Sequence, residues 1–358
     1  MRRSLWLLCL WPLLIQAEHY ALGEFWQQRP DQATLAHQHA LRVAAPAEPI
    51  AQRAGGPIQI AVVHPSLQVT TFWDRAVRTI EARLKEAGLD AEFTLFASRR
   101  SDYRLQVAQL QEALALKPDY LLFHLDSVRH RAALEHLLLQ PDAPKVILQN
   151  ITTPVRNWHR HPFMYVGFDH EKGSRLLAEG YLQLAGKSGE YAVIYGPQGY
   201  VSQARANAFI DHLSRLSQWK MVEGYYTDNE SSSAQEVTAR ILDHHPQVAF
   251  IYACSTDVAL GAAEVIADRG LGAKVLINGW GGGPLELAAL QSGKLDLTVM
   301  RINDDHGVAI AEAIILDRIG HPKRVPQVFS GDFELLLGRV GEGELAALTA
   351  RAHRYSDE

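Results

Sequence analysis

Cysteine is almost missing from this chain: there are two residues in 358, Cys9 and Cys254. Cys9 lies in a segment expected to be cleaved, so the mature chain has no pair for an internal disulfide. Its stability must come from a large apolar core. Membrane-length hydrophobic runs are missing too. The run LWLLCLWPLLI has eleven residues, too few to cross a bilayer, and no later run is long enough. It follows the basic head MRRS and precedes QAE, with Ala17 as the small residue at a cleavage position. Residues 1–17 therefore read as a secretory signal, and the mature chain as a soluble protein of the periplasm. Charge of one sign is not in excess either: 35 Lys and Arg stand against 40 Asp and Glu, for a net charge of −5. That balance gives no electrostatic reason for a nucleic-acid or anionic-membrane partner.

Catalytic motifs are lacking as well. Sixteen histidines invite a metal search, yet H-E-x-x-H and G-x-S-x-G do not occur. His159/His161 and His244/His245 sit in polar stretches and read as solvated. Cys254, in AFIYACS, reads as an inert buried thiol. The stretch AGKS at 185–188 lacks the upstream glycine of a phosphate loop and reads as a helix stop. The expectation is a protein without catalytic machinery, metal or cofactor.

What is present is an alternation. Residues 18–57 are polar and read as a surface extension ending in a linker. From Ile58, short apolar runs (IQIAVVHP, AEFTLFA, YLLFHLD, KVILQN) alternate with helical periodicity. The rhythm breaks at NITTPVRNWHRHPFMYVGFDHEKG and resumes with YAVIYG, KMVEGYY, VAFIYAC, KVLING and LDLTVM. Strands apolar on both faces, separated by amphipathic helices, imply parallel sheets covered on both sides. The fold class is α/β, with two similar lobes joined by a hinge, each a parallel sheet flanked by helices. The N-terminal lobe takes 58–167, completed by about 303–329; the C-terminal lobe takes 168–302, completed by about 330–358. Such sheets bind ligands outside the carboxyl ends of their strands, so two lobes can share one cleft.

The stretch KVLINGWGGGPLEL reads as strand, glycine turn and helix start. It lacks the G-x-G-x-x-G spacing of a dinucleotide site, so the glycines let the chain leave the strand sharply, with Pro284 in the first helical turn. Trp280, at the strand end and facing the cleft, is the better candidate for function. Other polar or aromatic residues fall at strand ends: Gln68, Thr70 and Trp73 after the first strand, Asn150 after the fourth, and Arg205 early in a helix of the second set. Thr256 and Asp257 follow at a strand-to-helix turn, and Arg301 ends the last strand of that set. Each has a bland alternative: Thr256 or Asp257 as a helix N-cap, Asn150 as a turn residue, an arginine as a surface cation. Taken together they suit a polyhydroxylated ligand, with tryptophan faces for its carbon skeleton. Two guanidinium groups stay charged at any working pH. Asp257 can neutralise one, and the other asks for an anion in the ligand.

These segments resemble the type I periplasmic binding proteins of the ribose-binding kind. ILQNITTPVR, YVGFDH, FIYACSTDVALGA, INGWGGG, TVMR, SGDFE and RYSD are similar to segments of the LuxP-type receptors for autoinducer-2. The resemblance implies a furanosyl borate diester as ligand, its boron supplying the negative charge. Arg205 and Arg301 would pair with the borate oxygens. Gln68, Thr70, Trp73, Asn150, Thr256, Asp257 and Trp280 would bond to or enclose the rings. Thr70 departs from the serine of that family and His124 from a threonine. The resemblance also implies a partner, the periplasmic domain of a LuxQ-like hybrid sensor kinase, to which lobe closure would be relayed. A competing reading is the sugar-binding subunit of an uptake transporter; a third is an exported enzyme with Asp257 as base.

Overall fold

The computed structural model describes residues 18–50, 56–65, 71–99, 102–125 and 128–357. The proposed signal over 1–17 and the candidates Gln68 and Thr70 lie outside the described residues.

Near the start of the described residues lie two helices, α1 (Leu22–Gln28) and α2 (Pro30–Ala44). Then come β1 (Ile58–His64), α3 (Phe72–Glu86), β2 (Ala91–Ala97), α4 (Tyr103–Ala115), β3 (Tyr120–His124), α5 (Val128–Leu138), β4 (Lys145–Gln149) and β5 (Met164–Phe168). A second series follows: α6 (His170–Ala185), β6 (Ser188–Tyr195), α7 (Tyr200–Leu216), β7 (Gln218–Tyr226), α8 (Ser231–His244), β8 (Val248–Ala253) and α9 (Thr256–Asp268). It continues through β9 (Leu276–Gly281), α10 (Pro284–Ser292), β10 (Leu297–Arg301), α11 (Asp304–Arg318), β11 (Val328–Gly331), β12 (Phe333–Leu337) and α12 (Glu342–Ala352).

Among the described residues the strands form two six-stranded sheets, ordered β11-β5-β4-β3-β1-β2 and β12-β10-β9-β8-β6-β7. Within these two sheets the pairings are parallel except β10 with β12. The inner strands β3, β5 and β10 are buried along their whole length, as helices on both faces require. The edge strand β2 is mostly exposed or half-buried. The chain divides into two compact units. The first comprises the chain through β1, Ala76–Asp169 and Asp305–Gly331; the second comprises the start of α3 up to Arg75, His170–Asp304 and the chain from Asp332.

One feature differs from the sequence expectation. The segment read as a break in the rhythm contains β5, whose residues Met164–Phe168 are all buried. The run FMYVGF follows the polar, proline-containing stretch NITTPVRNWHRHP with no helical pattern before it, so the alternation that marks the other strands is missing. In the N-terminal extension, read from sequence as lying on the surface, α2 packs against the edge strand β11. There His39 Nε2 donates to the Ala309 carbonyl at 3.0 Å. Arg42 and Arg83 each clamp the carboxylate of Glu312, the shortest N–O distance of each pair being 2.8 Å. Glu312 and Arg83 are each 1% exposed and Arg42 is a quarter exposed, so an ion triad with a buried centre pins α2 to α3 and α11.

Candidate functional site

Of the nine candidates, Trp73, Arg205, Thr256, Asp257, Trp280 and Arg301 fall in the second unit. Asn150 belongs to the first. It follows β4 in a left-handed conformation, φ 58°, which asparagine tolerates better than most side chains. His124 ends β3 in the same sheet, in register with Gln149, and is buried.

In the second unit the residues assemble around the glycine turn. Trp280 is the next-to-last residue of β9 and is only 1% exposed. The guanidinium carbon of Arg205, from the second turn of α7, lies 3.5 Å from the centre of its ring. Stacking of this kind suits a planar, weakly hydrated cation. Arg205 Nη1 donates to the Cys254 carbonyl at 2.8 Å and Nε donates to His170 Nδ1 at 3.3 Å. The latter bond requires neutral His170 with its proton on Nε2. On its other edges the Trp280 ring meets Phe333 at 5.6 Å, edge to face, and Nε1 donates to Ser174 Oγ at 3.4 Å. Ser174 Oγ in turn lies 2.8 Å from the Tyr252 hydroxyl, and burial pushes that phenol well above its ordinary range, so it stays neutral. Trp280 is therefore a packed member of its own unit as well as a strand-end residue.

Arg301 ends β10, with its guanidinium carbon 4.3 Å over the Phe72 ring. Phe72 meets Trp73 edge to face at 4.9 Å. The same guanidinium lies against the turn, because a Cβ placed on Gly281 would fall 2.7 Å from Arg301 Nη2. Gly281 and Gly282 have φ 138° and 66°, and a Cβ on Gly282 would meet Met300 Cα at 2.5 Å. Both positions need glycine for conformation and for space. The two buried arginines, 4% and 9% exposed, thus converge on consecutive residues of one turn.

Sequence reasoning missed the group that organises this turn. Glu286 is 0% exposed. Its Oε1 accepts from Thr256 Oγ1 at 2.5 Å and from the Trp280 backbone N–H at 3.0 Å. Its Oε2 accepts from the Gly282 N–H at 2.8 Å and from Thr298 Oγ1 at 2.7 Å. Gly283 caps α10 and Pro284 begins it, so Glu286 stands at the third helical position, where a carboxylate can reach back to the preceding backbone. That spacing was the available signal.

The bland reading of Thr256 or Asp257 as the N-cap is corrected. Ser255 holds that place, with extended backbone and its side chain accepting from Val258 N. A cap needs extended backbone one residue before the first helical one, and Thr256 is already helical. Ser255 Oγ donates to Asn229 Oδ1 at 2.6 Å, and Asn229 Nδ2 donates to Asp257 Oδ2 at 3.1 Å. Cys254 is buried, as expected, whereas His161 is half-buried with its Nδ1 3.1 Å from the Tyr165 hydroxyl. Among the described residues no group of three or more His, Cys, Asp or Glu could hold a metal ion.

Two units, each a mostly parallel sheet flanked by helices, define an α/β class of fold. Residues 60–315 match the family described as periplasmic binding protein domain, and the chain belongs to that family. Among curated proteins it is similar to the D-allose-binding periplasmic protein of Escherichia coli, 28% identical over 166 residues, covering 46% of this chain and 52% of the relative. It is also similar to the ribose import binding protein RbsB of Bacillus subtilis, 27% identical over 171 residues, covering 48% and 54%. The chain spans about half the length of these curated relatives. Among solved structures it resembles a solute-binding protein of Actinobacillus succinogenes with bound D-allose, at TM-score 0.68 and 20% identity, covering 78% of this chain and 97% of that one. GanP, a glucose-galactose binding protein of Geobacillus stearothermophilus, gives TM-score 0.69 at 20% identity, covering 79% and 98%. At that identity these likenesses bear on the fold alone. Among the described residues no helix is long and apolar enough to cross a membrane.

Proposed function

We propose that this chain is a non-enzymatic periplasmic receptor for a small, oxygen-rich ligand that carries negative charge. The observation that carries the reading is the convergence of Arg205 and Arg301 on Trp280 and Gly281. A neutral sugar can accept from guanidinium N–H groups and stack on a flat apolar face, while an anionic ligand adds a charge complementary to two permanent cations. The furanosyl borate diester of autoinducer-2 combines rings, hydroxyls and an anionic boron centre. It is the specific ligand proposed, with relay to the periplasmic domain of a LuxQ-like sensor kinase as the output. Boron enters as part of the ligand and not as a cofactor of the protein.

The comparisons by themselves favour the second reading, the sugar-binding subunit of an uptake transporter. The relatives carry names of allose- and ribose-binding proteins, and the same fold serves both purposes. Titration calorimetry of the purified protein separates the two. Autoinducer-2 bound tightly only with borate present is expected. Tight binding of ribose or allose, indifferent to borate, would assign the chain to transport.

A further inference from the structure

We propose that Glu286 is the positioning residue of the ligand site, setting the turn that carries Trp280 and backs Arg301. This rests on the reading that the second unit binds ligand through those residues. A buried carboxylate with four donors holds more than a helix end. Its two oxygens divide the turn between them: one fixes the Trp280 N–H and the Thr256 hydroxyl, the other the Gly282 N–H and the Thr298 hydroxyl. The backbone on either side of Gly281 is therefore tied to one rigid group. Gly281 is the residue against which the Arg301 guanidinium rests, and Trp280 is the ring under Arg205. Tilting the carboxylate would move both cation seats together. Thr256, read from sequence as a ligand contact, gives its hydroxyl proton to this carboxylate, so it reaches the site through Glu286.

The amide of Glu286→Gln has the same shape but only one acceptor oxygen. In either orientation its NH₂ faces one threonine hydroxyl, which can rotate, and one backbone N–H, which cannot. One arm of the turn must then shift. The test combines emission of Trp280 in the unliganded protein with calorimetry. Emission is isolated as the difference between each protein and its Trp280→Phe counterpart, and the titrant is autoinducer-2 with borate, then ribose. Glu286→Gln is expected to shift Trp280 emission without ligand and to weaken binding ten-fold or more. Thr298→Ala removes one side-chain donor and keeps both backbone bonds; it should produce the same changes on a smaller scale, and it carries the test if the glutamine variant does not fold. Unchanged Trp280 emission overturns the proposal whatever the ligand. A shifted emission with wild-type affinity overturns it as well, because the turn would then matter to packing alone. If the wild type itself binds neither titrant, the receptor reading falls, while the emission comparison still decides whether Glu286 sets the turn.

Discussion

Arg205 and Arg301 keep their charge at every working pH, so holding them at 4% and 9% exposure costs desolvation that something must offset. Ring faces offset part of it, since each guanidinium lies over an aromatic ring. A bound anion would supply more. Arg205→Ala and Arg301→Ala are each expected to weaken ligand binding several-fold or more, the range of about 1.5–3 kcal/mol for a charge-assisted bond. Arg205→Lys should restore little, because an ammonium lacks the planar face that meets Trp280. Calorimetric affinities of these three variants check the point, and wild-type values for both alanine variants would refute it. Trp280 carries a second consequence. The ring, read from sequence as a ligand face, is 1% exposed and packed on Phe333 and Arg205. Trp280→Ala should therefore also lower unfolding stability by roughly 3–5 kcal/mol, measurable by urea titration.

Among the elements, α2 is held most specifically. Glu312 on α11 takes Arg83 of α3 on Oε1 and Arg42 of α2 on Oε2. Replacing one member of such a group leaves buried charge uncompensated, which is where ion pairs matter most. Glu312→Gln is expected to destabilise the first unit by about 3–5 kcal/mol. Arg42→Met should cost less, because Arg42 is a quarter exposed and Arg83 remains paired. Denaturant unfolding of both variants tests the order, and equal small losses would show that the triad contributes little. The helix α10 offers a contrast: its first turn is pinned by a single carboxylate to residues of β9, α9 and β10.

For the whole molecule, acid acts with opposite sign on two buried histidines and on one buried carboxyl. In the first unit, burial lowers the pKa values of His39 and His64 from 6.5 to about 4. A depressed histidine contributes stability above its unfolded value, and the contribution is lost as pH falls through 6.5 towards 4. In the second unit, burial pushes Asp296 from 3.8 up to about 6. A raised carboxyl contributes stability below 3.8 that is lost as pH rises through 6. Asp296→Asn keeps an acceptor for the Ile277 N–H, now 2.8 Å from Oδ2, and removes the charge. It should raise the melting temperature at neutral pH, with the gain vanishing near pH 4. His64→Gln should flatten part of the acid loss. Thermal scans across that range check both, and a gain from Asp296→Asn that persists at low pH would contradict the assignment.

The sequence by itself determined the alternation of strands and helices, because a strand covered on both faces must be apolar along its length, as YLLFH and LTVMR are. It also determined the exit from β9, since two positive-φ positions in a row leave glycine as the residue that fits. β5 escaped notice because it follows the polar stretch NITTPVRNWHRHP instead of a helical pattern, so the alternation that marks the other strands is missing there. Tertiary structure alone decided which polar groups meet. Glu286 finds Thr256, thirty residues away, and Glu312 finds Arg42 at a separation of 270. A hydrogen bond depends on distances of about 3 Å in space, and local pattern has no term for a partner brought there by the rest of the chain.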